Sequence, residues 1–139
     1  MLQKKLNVLG LVNDNEFEYK NKFTLEQRQG KYQKVINNSG EERILVVLEK
    51  HKKAQIQKQN SKSNQYQLFA INKNKTLVEL MQYVKQNVGI DVSASIFLYC
   101  NNQLLMMRSD ITVGSIYDTY KNTEDKHLYI KYANFETFG

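Results

Sequence analysis

The stretch Thr76-Leu77-Val78-Glu79-Leu80-Met81-Gln82-Tyr83-Val84-Lys85-Gln86-Asn87-Val88-Gly89 decides the fold that this chain is expected to adopt. Threonine followed by glutamate three residues later is the pattern of a capping box, in which each side chain bonds to the other residue's backbone amide. Apolar side chains then recur at three- and four-residue spacing, which places them on one helical face. Gly89 stands where a left-handed residue ends many helices. The stretch therefore predicts one amphipathic helix.

Four strand-like stretches surround this helix along the chain. They are Arg43–Glu49, Tyr66–Ile71, Ser95–Cys100 and Leu128–Tyr132. The first is an unbroken apolar run, as expected for a central strand covered on both faces, and the last alternates in a period of two. A short helix after Asp110 or Thr112 separates the last two strands. The order strand, strand, helix, strand, short helix, strand predicts an α+β fold of the β-grasp, or ubiquitin-like, class, in which one helix crosses a four-stranded mixed sheet.

A second capped helix precedes the sheet. Thr24 and Gln27 repeat the spacing of a capping box, and apolar side chains fall on one face as far as Ile36. The residues from Asn37 to Gly40 are typical of a turn and should end the helix. The sequence thus predicts an N-terminal helix over about residues 24–36.

The chain divides into three parts. We expect residues 1–22 to be a partly mobile N-terminal extension, residues 23–132 to form the ubiquitin-like domain with its N-terminal helix, and residues 133–139 to form a flexible C-terminal conjugation tail. Within the domain, the polar stretch from Lys50 to Asn64 is rich in lysine, glutamine, asparagine and serine. It should be an exposed loop that joins the first two strands.

Composition limits the classes of protein to which the chain can belong. Its 139 residues suffice for one domain with a core, and no apolar run is long enough to cross a membrane. The formal net charge of +6 favours acidic partners. No dense basic patch with interleaved aromatic residues is present, so no nucleic-acid partner is predicted. A single cysteine excludes an internal disulfide and agrees with a reducing, cytoplasmic compartment.

No arrangement of side chains in the sequence indicates catalysis, metal binding or a cofactor. Cys100 ends an apolar strand without the signature of a Cys-His site, so we expect it to be a small core residue. His51 and His127 are isolated and have no partners at metal-ligand spacing. The chain is therefore predicted not to be an enzyme, and to carry neither a metal nor a cofactor.

The C-terminal residues indicate chemistry on the chain's own carboxylate. After the strand that ends at Tyr132, the sequence runs Ala133-Asn134-Phe135-Glu136-Thr137-Phe138-Gly139. Glycine has no side chain, so its carboxylate can enter a narrow enzyme channel that a β-carbon would obstruct. Such an ending is typical of a conjugated modifier. The alternative is a β-grasp adaptor that binds partners without being conjugated and whose glycine is incidental.

Several stretches resemble the autophagy ubiquitin-like modifiers of the GABARAP and microtubule-associated light-chain type. The resemblance spans roughly residues 19–139 and is most specific in the Thr-Phe-Gly ending. The stretches that carry it are Thr24–Arg28, Arg43–Lys50, Leu77–Val88, Ile96–Leu98, Ser115–Tyr117, Leu128–Tyr129 and Glu136–Gly139. A sister modifier of the same pathway, which is attached to a protein, typically ends in Trp-Gly. Phe138 therefore favours the lipid-conjugated branch.

The resemblance implies a modifier that other proteins conjugate. In that family an activating enzyme and a conjugating enzyme pass the terminal glycine along as a thioester and join it to phosphatidylethanolamine on the autophagosomal membrane. A cysteine protease processes the modifier and removes it again. Here Gly139 would be the conjugated residue, and Thr137 and Phe138 would be recognised with it. The protein would be cytoplasmic when free and located on the autophagosome membrane when lipidated.

The resemblance also implies a groove for cargo receptors that carry an aromatic-x-x-aliphatic motif. Such a peptide adds a strand beside the second strand of the sheet and fills two apolar pockets. The first pocket would be lined by Lys31, Val35, Leu45, Val47 and Leu68 or Ala70, with His127 at its edge. The second pocket would involve Phe69, Ile71, Leu80, Tyr83 and Val84. Family members usually carry other residues at the positions of Lys31, Leu45, Leu68 and His127. For the apolar members of both sets, ordinary core packing is the alternative.

Overall fold

The structure, a computed structural model, describes residues 16–56, 66–91 and 93–134. Its helices are α1 (Glu18–Lys22), α2 (Leu25–Ser39), α3 (Leu77–Val88) and α4 (Val113–Tyr120), with one 3-10 turn at Gly40–Glu42. Its strands are β1 (Arg43–Lys50), β2 (Tyr66–Asn72), β3 (Phe97–Cys100), β4 (Gln103–Leu104) and β5 (Leu128–Ala133). No helix within these described ranges is long and apolar enough to cross a membrane.

The strands form one mixed sheet in the order β2-β1-β5-β3-β4, which confirms the predicted ubiquitin-like fold class. β1 pairs with β5 in parallel, and the other neighbouring pairs are antiparallel. Val46 in β1 lies opposite Phe69 in β2 and Leu128 in β5. The sheet has one strand more than predicted, the two-residue β4. It forms because Asn101 and Asn102 adopt left-handed φ angles of 50° and 64°, which a tight hairpin turn requires.

Helix α3 begins and ends as its sequence predicts. The Thr76 hydroxyl accepts a hydrogen bond from the Glu79 amide at 3.1 Å, and the Glu79 carboxylate accepts one from the Thr76 amide at 3.1 Å. Gly89 takes the left-handed angles φ 77° and ψ 37°. Leu80 and Val84 face the sheet and are fully buried in the main core. Burial of this apolar face stabilises the fold by about 25 cal/mol for each Å² removed from water.

Helix α2 lies on the opposite side of the sheet from α3. It begins with the predicted capping box, since the Gln27 amide donates to the Thr24 hydroxyl at 3.1 Å and the Thr24 amide donates to the Gln27 side chain at 2.9 Å. The helix continues to Ser39, three residues beyond the predicted end at Ile36. The polar residues that suggested a turn instead bond within the helix, because the Ser39 hydroxyl donates to the Val35 carbonyl at 2.9 Å.

The described part of the predicted N-terminal extension is packed against the sheet. Phe17 is 4% exposed and Tyr19 is fully buried, and α1 forms around them. Together with Val47 and Tyr129 they make a second apolar cluster on the α2 side of the sheet. The ubiquitin-like domain therefore takes in residues 16–22, which the sequence assigned to a partly mobile extension. Residues 1–15 lie outside the described part of the chain.

The loop after β1 is partly buried, in contrast to the exposed loop predicted from Lys50 to Asn64. His51 and Ala54 are 2% and 4% exposed. The His51 amide donates to the Tyr132 carbonyl at 2.9 Å, and the Lys50 ammonium donates to the Ala54 carbonyl at 2.7 Å. These bonds turn the chain back toward β5. The polar composition predicted exposure to solvent. Composition does not show that a lysine such as Lys50 bonds to a backbone carbonyl of the same loop. Residues 57–65 of the loop lie outside the described residues.

The last strand continues past Tyr132, where the folded domain was predicted to end. Ala133 is fully buried in β5 opposite Phe97. The Asn134 side chain accepts a hydrogen bond from the Gln55 amide at 3.3 Å and donates one to the Gln55 carbonyl at 3.1 Å. The chain is thus held through residue 134 at the end of the sheet where β1 and β5 finish. Residues 135–139, and with them the predicted Thr137, Phe138 and Gly139, lie outside the described residues.

Candidate functional site

Strand β2 provides an edge to which an extended peptide could add. Among the described residues it pairs only with β1, from Arg43 opposite Asn72 to Glu49 opposite Tyr66. Its side chains from residue 66 to residue 70 are half-buried. Unpaired backbone donors and acceptors on such an edge are a template for another strand. The predicted position of the groove therefore coincides with a sheet edge.

The predicted second pocket consists mostly of core residues. Ile71 is 7% exposed, and Leu80 and Val84 are fully buried between α3 and the sheet. These three residues therefore pack in the core, because the inward face of an amphipathic helix is buried against the strands that it crosses. Phe69 and Tyr83 remain half-buried at the border between β2 and α3, with ring centroids 4.7 Å apart. These two rings are the part of the predicted second pocket that a ligand could contact.

The predicted first pocket is covered in this structure. Leu45 and Val47 are 4% and 0% exposed, while Val35, Leu68 and Ala70 are half-buried. Leu68 packs against the cluster that contains Phe17, Tyr19 and Val47, together with Phe23 and Tyr66. The Tyr19 ring lies 5.2 Å from that of Phe23 and 5.4 Å from that of Tyr66. The aromatic residues before α2 therefore occupy the space over β1 and β2 that a receptor side chain was expected to fill.

His127 lies beneath this cover, although it was predicted at the edge of the first pocket. It is fully buried, and its Nε2 atom lies 2.8 Å from the Tyr19 hydroxyl. Its Nδ1 atom lies 2.7 Å from the Asp125 carbonyl oxygen, which can only accept, so Nδ1 carries the proton and Nε2 accepts from Tyr19. Burial lowers the pKa of His127 below its ordinary value, which agrees with a neutral ring.

Asp125 joins this buried histidine to helix α2. Its carboxylate accepts a hydrogen bond from the Arg28 guanidinium at 2.7 Å and one from the Tyr129 hydroxyl. Its other oxygen accepts from the His127 amide at 3.0 Å. Asp125 is fully buried and Arg28 is mostly buried, so loss of either partner would leave an unpaired buried charge. The network therefore fixes α1, α2 and the start of β5 relative to one another.

Glu49 anchors helix α1 to the sheet. One carboxylate oxygen accepts from the Glu18 amide at 2.9 Å, and the other accepts from the Tyr19 amide at 2.9 Å. The Lys131 ammonium lies 3.8 Å from the same carboxylate and donates to the Glu16 carbonyl at 2.7 Å. None of these residues was predicted from the sequence to have a special role. The sequence could have identified Glu49 and Lys131, because both charged residues stand inside apolar strands, where a buried charge needs a partner.

Lys31 contacts the aromatic cover from α2. Its ammonium lies 3.8 Å from the centre of the Phe23 ring and 5.7 Å from that of Tyr19. Cations at this distance from an aromatic face are attracted by the ring quadrupole. Lys31 is half-buried, so it remains accessible beside the covered first pocket. In this structure the partner of Lys31 is an aromatic ring of the same chain, and its role in receptor binding stays a prediction.

Neither a metal-binding group nor a reactive thiol is found among the residues that the structure describes. No group of three or more histidine, cysteine or acidic residues in residues 16–56, 66–91 and 93–134 could hold a metal ion. Cys100 is fully buried, and burial raises the pKa of its thiol to about 12. A thiol with that pKa is not a thiolate nucleophile at neutral pH. Its predicted place in the core is confirmed.

Known proteins similar to this chain agree with the fold. A family model described as "Autophagy protein Atg8 ubiquitin like" matches residues 27–139. The rice (Oryza sativa subsp. japonica) "Autophagy-related protein 8D" is 25% identical over 121 residues, which cover 87% of this chain and 96% of that protein. The "Ubiquitin-like protein ATG12" of Schizosaccharomyces pombe is 29% identical over 72 residues, 52% of each chain.

A solved structure of similar fold agrees with this family match. The crystal structure of Trypanosoma brucei ATG8 superposes with a TM-score of 0.73 at 26% sequence identity, and it covers 90% of this chain and 100% of that one. The family model takes in well over half of the chain, including every strand of the sheet and helix α3. This chain therefore belongs to the Atg8 family of ubiquitin-like autophagy proteins.

Proposed function

We propose that the protein is a modifier of autophagy that is conjugated through the carboxylate of Gly139 to the amine of phosphatidylethanolamine. The observation that carries the proposal is the extent of the family match, which runs through residue 139 and so includes Glu136-Thr137-Phe138-Gly139. An activating enzyme and a conjugating enzyme would bind Thr137 and Phe138 while they transfer the glycine. A cysteine protease would process and deconjugate the chain.

In this proposal the chain is the substrate of the transfer and supplies no catalytic group. The acyl carbon of Gly139 forms an amide with the lipid amine, and the cysteine of the conjugating enzyme leaves as a thiol. The free protein would be cytoplasmic and the lipidated protein would reside on autophagosomal membranes. Anchoring of Ala133 and Asn134 at one end of the sheet supports a tail that leaves from that end, with the rest of the domain on the side away from the membrane.

Reconstituted lipid conjugation tests this proposal. The protein is incubated with the activating and conjugating enzymes of the pathway, ATP and liposomes that contain phosphatidylethanolamine, and the product is resolved by its shift on a urea gel. We expect a faster-migrating lipidated form that requires ATP and the lipid. Absence of that form, with the enzymes active on another member of the family, would contradict the proposal and favour the unconjugated adaptor.

We further propose that the edge of β2 binds cargo receptors through an aromatic-x-x-aliphatic motif. The edge of β2, which pairs on one side only within the described part of the chain, supports addition of a peptide strand, and the half-buried pair Phe69 and Tyr83 supports a contact for the aliphatic residue. The first pocket, covered by Tyr19 and Phe23, would accept the aromatic residue only after these rings move. Receptor binding is therefore proposed to require displacement of part of the N-terminal segment.

Conjugation to a protein is the second candidate function. The similarity to the Schizosaccharomyces pombe ubiquitin-like protein ATG12 favours it, since that identity is slightly higher, although over a shorter stretch. Phe138, in place of the tryptophan expected for the protein-conjugated branch, favours the lipid. The same conjugation reaction, supplied with a candidate acceptor protein and without liposomes, separates the two. A covalent adduct of higher mass formed only with the protein acceptor would support the second candidate.

A further inference from the structure

A cavity lies at the end of the sheet opposite Asn134, the last residue that the structure describes. It has a volume of about 410 Å³ and is bounded by the second half of α2, the start of β1, the turn after β2 and helix α4. Pockets of this size hold organic ligands or several side chains, whereas a single inorganic ion needs far less room. None of the residues predicted for the receptor groove lines the cavity. The cavity is therefore a separate feature of the surface.

The cavity walls carry an excess of positive charge. Four cationic side chains line it against two acidic ones, Glu41 and Asp118. The cations are Arg43, Lys73, Lys121 and Lys126. Among the described residues Arg43 and Lys126 form no ion pair, and Lys73 reaches only Glu42, at 4.0 Å. Like charges that share one concave surface raise its potential, so an anion that enters gains energy from several of them together.

The walls are held in place by backbone bonds. The Gly114 amide at the start of α4 donates to the Lys73 carbonyl at 2.9 Å, and a β-carbon at Gly114 would lie 3.1 Å from that carbonyl oxygen. The Tyr117 hydroxyl donates to the Lys126 carbonyl at 2.8 Å, which fixes the loop before β5. A fixed backbone lowers the entropy that is lost when a ligand binds, because only the side chains remain to be ordered. The backbone of the cavity walls is therefore in place before any ligand arrives.

The position of the cavity favours a protein ligand over a lipid headgroup. Arg43 is the first residue of β1 and Lys126 precedes β5, and these parallel strands run away from the cavity toward the tail. The eight residues of β1 span about 25 Å. A molecule attached to a bilayer through Gly139 would hold the cavity away from the membrane. This choice between ligands rests on the proposed lipid conjugation.

We propose that this cavity binds an acidic segment of a partner protein, whose carboxylates contact Arg43, Lys73 and Lys126. The two tyrosines of the cavity, Tyr32 and Tyr117, add hydroxyl groups and ring surface for the backbone and side-chain stems of such a segment. The site would give the protein a second contact with a partner, independent of an aromatic motif on β2. Its charge would select partners and accelerate their association.

Binding of a fluorescein-labelled polyglutamate peptide to the unconjugated full chain tests the proposal. The cavity variant carries Arg43→Gln and Lys126→Gln, and its matched control carries Lys52→Gln and Lys53→Gln, two exposed lysines at the other end of β1. Both variants lose two positive charges. Lys126 has φ 61°, so glutamine adds no new backbone strain there. Melting of each variant, followed by circular dichroism, verifies that the fold is intact.

We expect the cavity variant to lose about fivefold in affinity and the control less than about twofold, since each exposed pair contributes modestly. Amide shifts of the wild type should then cluster around α4 and residues 41–44. Equal losses in both variants would show that only net charge matters and would overturn the proposal. Tighter binding through the same residues by phosphatidylserine vesicles would overturn the ligand class. The Gly139-deleted chain should bind the peptide normally, because binding does not require conjugation. A failure of lipid conjugation can therefore be told apart from a failure of peptide binding.

Discussion

At the scale of single residues, the hydrogen bond between Tyr19 and His127 joins the N-terminal segment to the last strand. The two residues are 108 positions apart, and both are fully buried. A buried hydrogen bond contributes about 1 kcal/mol net, but an unpaired buried partner costs more. A neutral His127 is therefore part of what keeps α1 on the sheet.

The buried histidine predicts a pH dependence of stability. The pKa of His127 is lowered in the folded protein, chiefly by burial, so the unfolded chain takes up a proton first as the pH falls below about 6.5. Stability should be unaffected by this group above that pH and should decrease below it. Urea unfolding at pH 7.5 and at pH 5.5 measures the effect. His127→Gln should reduce the decrease; a decrease of equal size in this variant and in the wild type would contradict the assignment.

Gly139 carries the second prediction at this scale. Gly139→Ala should abolish or strongly reduce lipid attachment, because a methyl group beside the reacting carbonyl displaces it from the incoming nucleophile, and small displacements cost orders of magnitude in rate. The melting temperature should not change, since the substitution lies beyond the last strand. Gel-shift conjugation and thermal melting are measured together, with Lys53→Gln, at an exposed residue of the folded domain, as the control. Normal lipid attachment of the Gly139-deleted chain would rule out Gly139 as the conjugated residue.

At the scale of the elements, α1 behaves as a cover over the first pocket. Its hydrogen bonds to Glu49 orient it, and Phe17, Tyr19 and the nearby Phe23 bury the outer faces of β1 and β2. A cover of this kind competes with any ligand for the same apolar surface. In the proposed receptor binding, the affinity would depend on the free energy needed to displace the cover.

Tyr19→Ala tests this competition. Loss of the buried ring should lower the free energy of unfolding by about 3 kcal/mol. It should also raise the affinity for an aromatic-x-x-aliphatic peptide, because Val47 and Leu68 become accessible. Calorimetric titration at a temperature where the variant remains folded gives the affinity, with Lys22→Ala as a control in the same helix. Weaker binding by the variant would mean that Tyr19 is a wall of the pocket and not its cover.

Strand β2 carries the second prediction at this scale. Leu68→Asp places a charge beside the half-buried edge and Phe69→Ala removes a ring that contacts Tyr83, so each should weaken peptide binding about tenfold. Met106→Asp, at an exposed residue away from β2, is the control. Titration followed by amide chemical shifts locates the peptide. Shifts that cluster around residues 101–107 instead of 66–72 would place the peptide elsewhere.

At the scale of the whole molecule, the net charge of +6 acts on every acidic partner. Lys31 stands beside the first pocket, and the cations around Arg43 stand at the far end of the sheet. Exposed charges steer association more than they stabilise a fold. The charge distribution is therefore expected to affect the rate of binding more than the stability of the domain.

The dependence of the binding rates on salt concentration tests this expectation. Between about 0.05 and 0.5 M sodium chloride, the association rate of a receptor peptide with an acidic flank should fall markedly while its dissociation rate changes little. A peptide with a neutral flank is the control and should respond weakly. Stopped-flow fluorescence gives both rates. If salt lowers the association rates of both peptides equally, the acidic flank does not contact the basic surface.

The sequence by itself determined the elements whose signals are local. The two capping boxes, Gly89 and the apolar periodicity of residues 77–88 are set by hydrogen bonds and spacings within a few residues, so α3 and the start of α2 were predicted correctly. The order of the strands then restricted the topology to the ubiquitin-like sheet. The family was expected from the stretches that resemble it, and the family model confirms it.

Only the tertiary structure decided the state of the predicted groove. Periodicity shows that Leu80 and Val84 are apolar and face inward, but it does not distinguish a pocket wall from the core. The cover on the first pocket depends on contacts between Tyr19, Glu49 and His127, which are 30 to 108 positions apart. Such contacts arise when distant strands pair, and their energies depend on burial that exists only in the folded chain. For that reason the sequence alone did not distinguish a buried His127 from an exposed one, or a packed N-terminal segment from a mobile one.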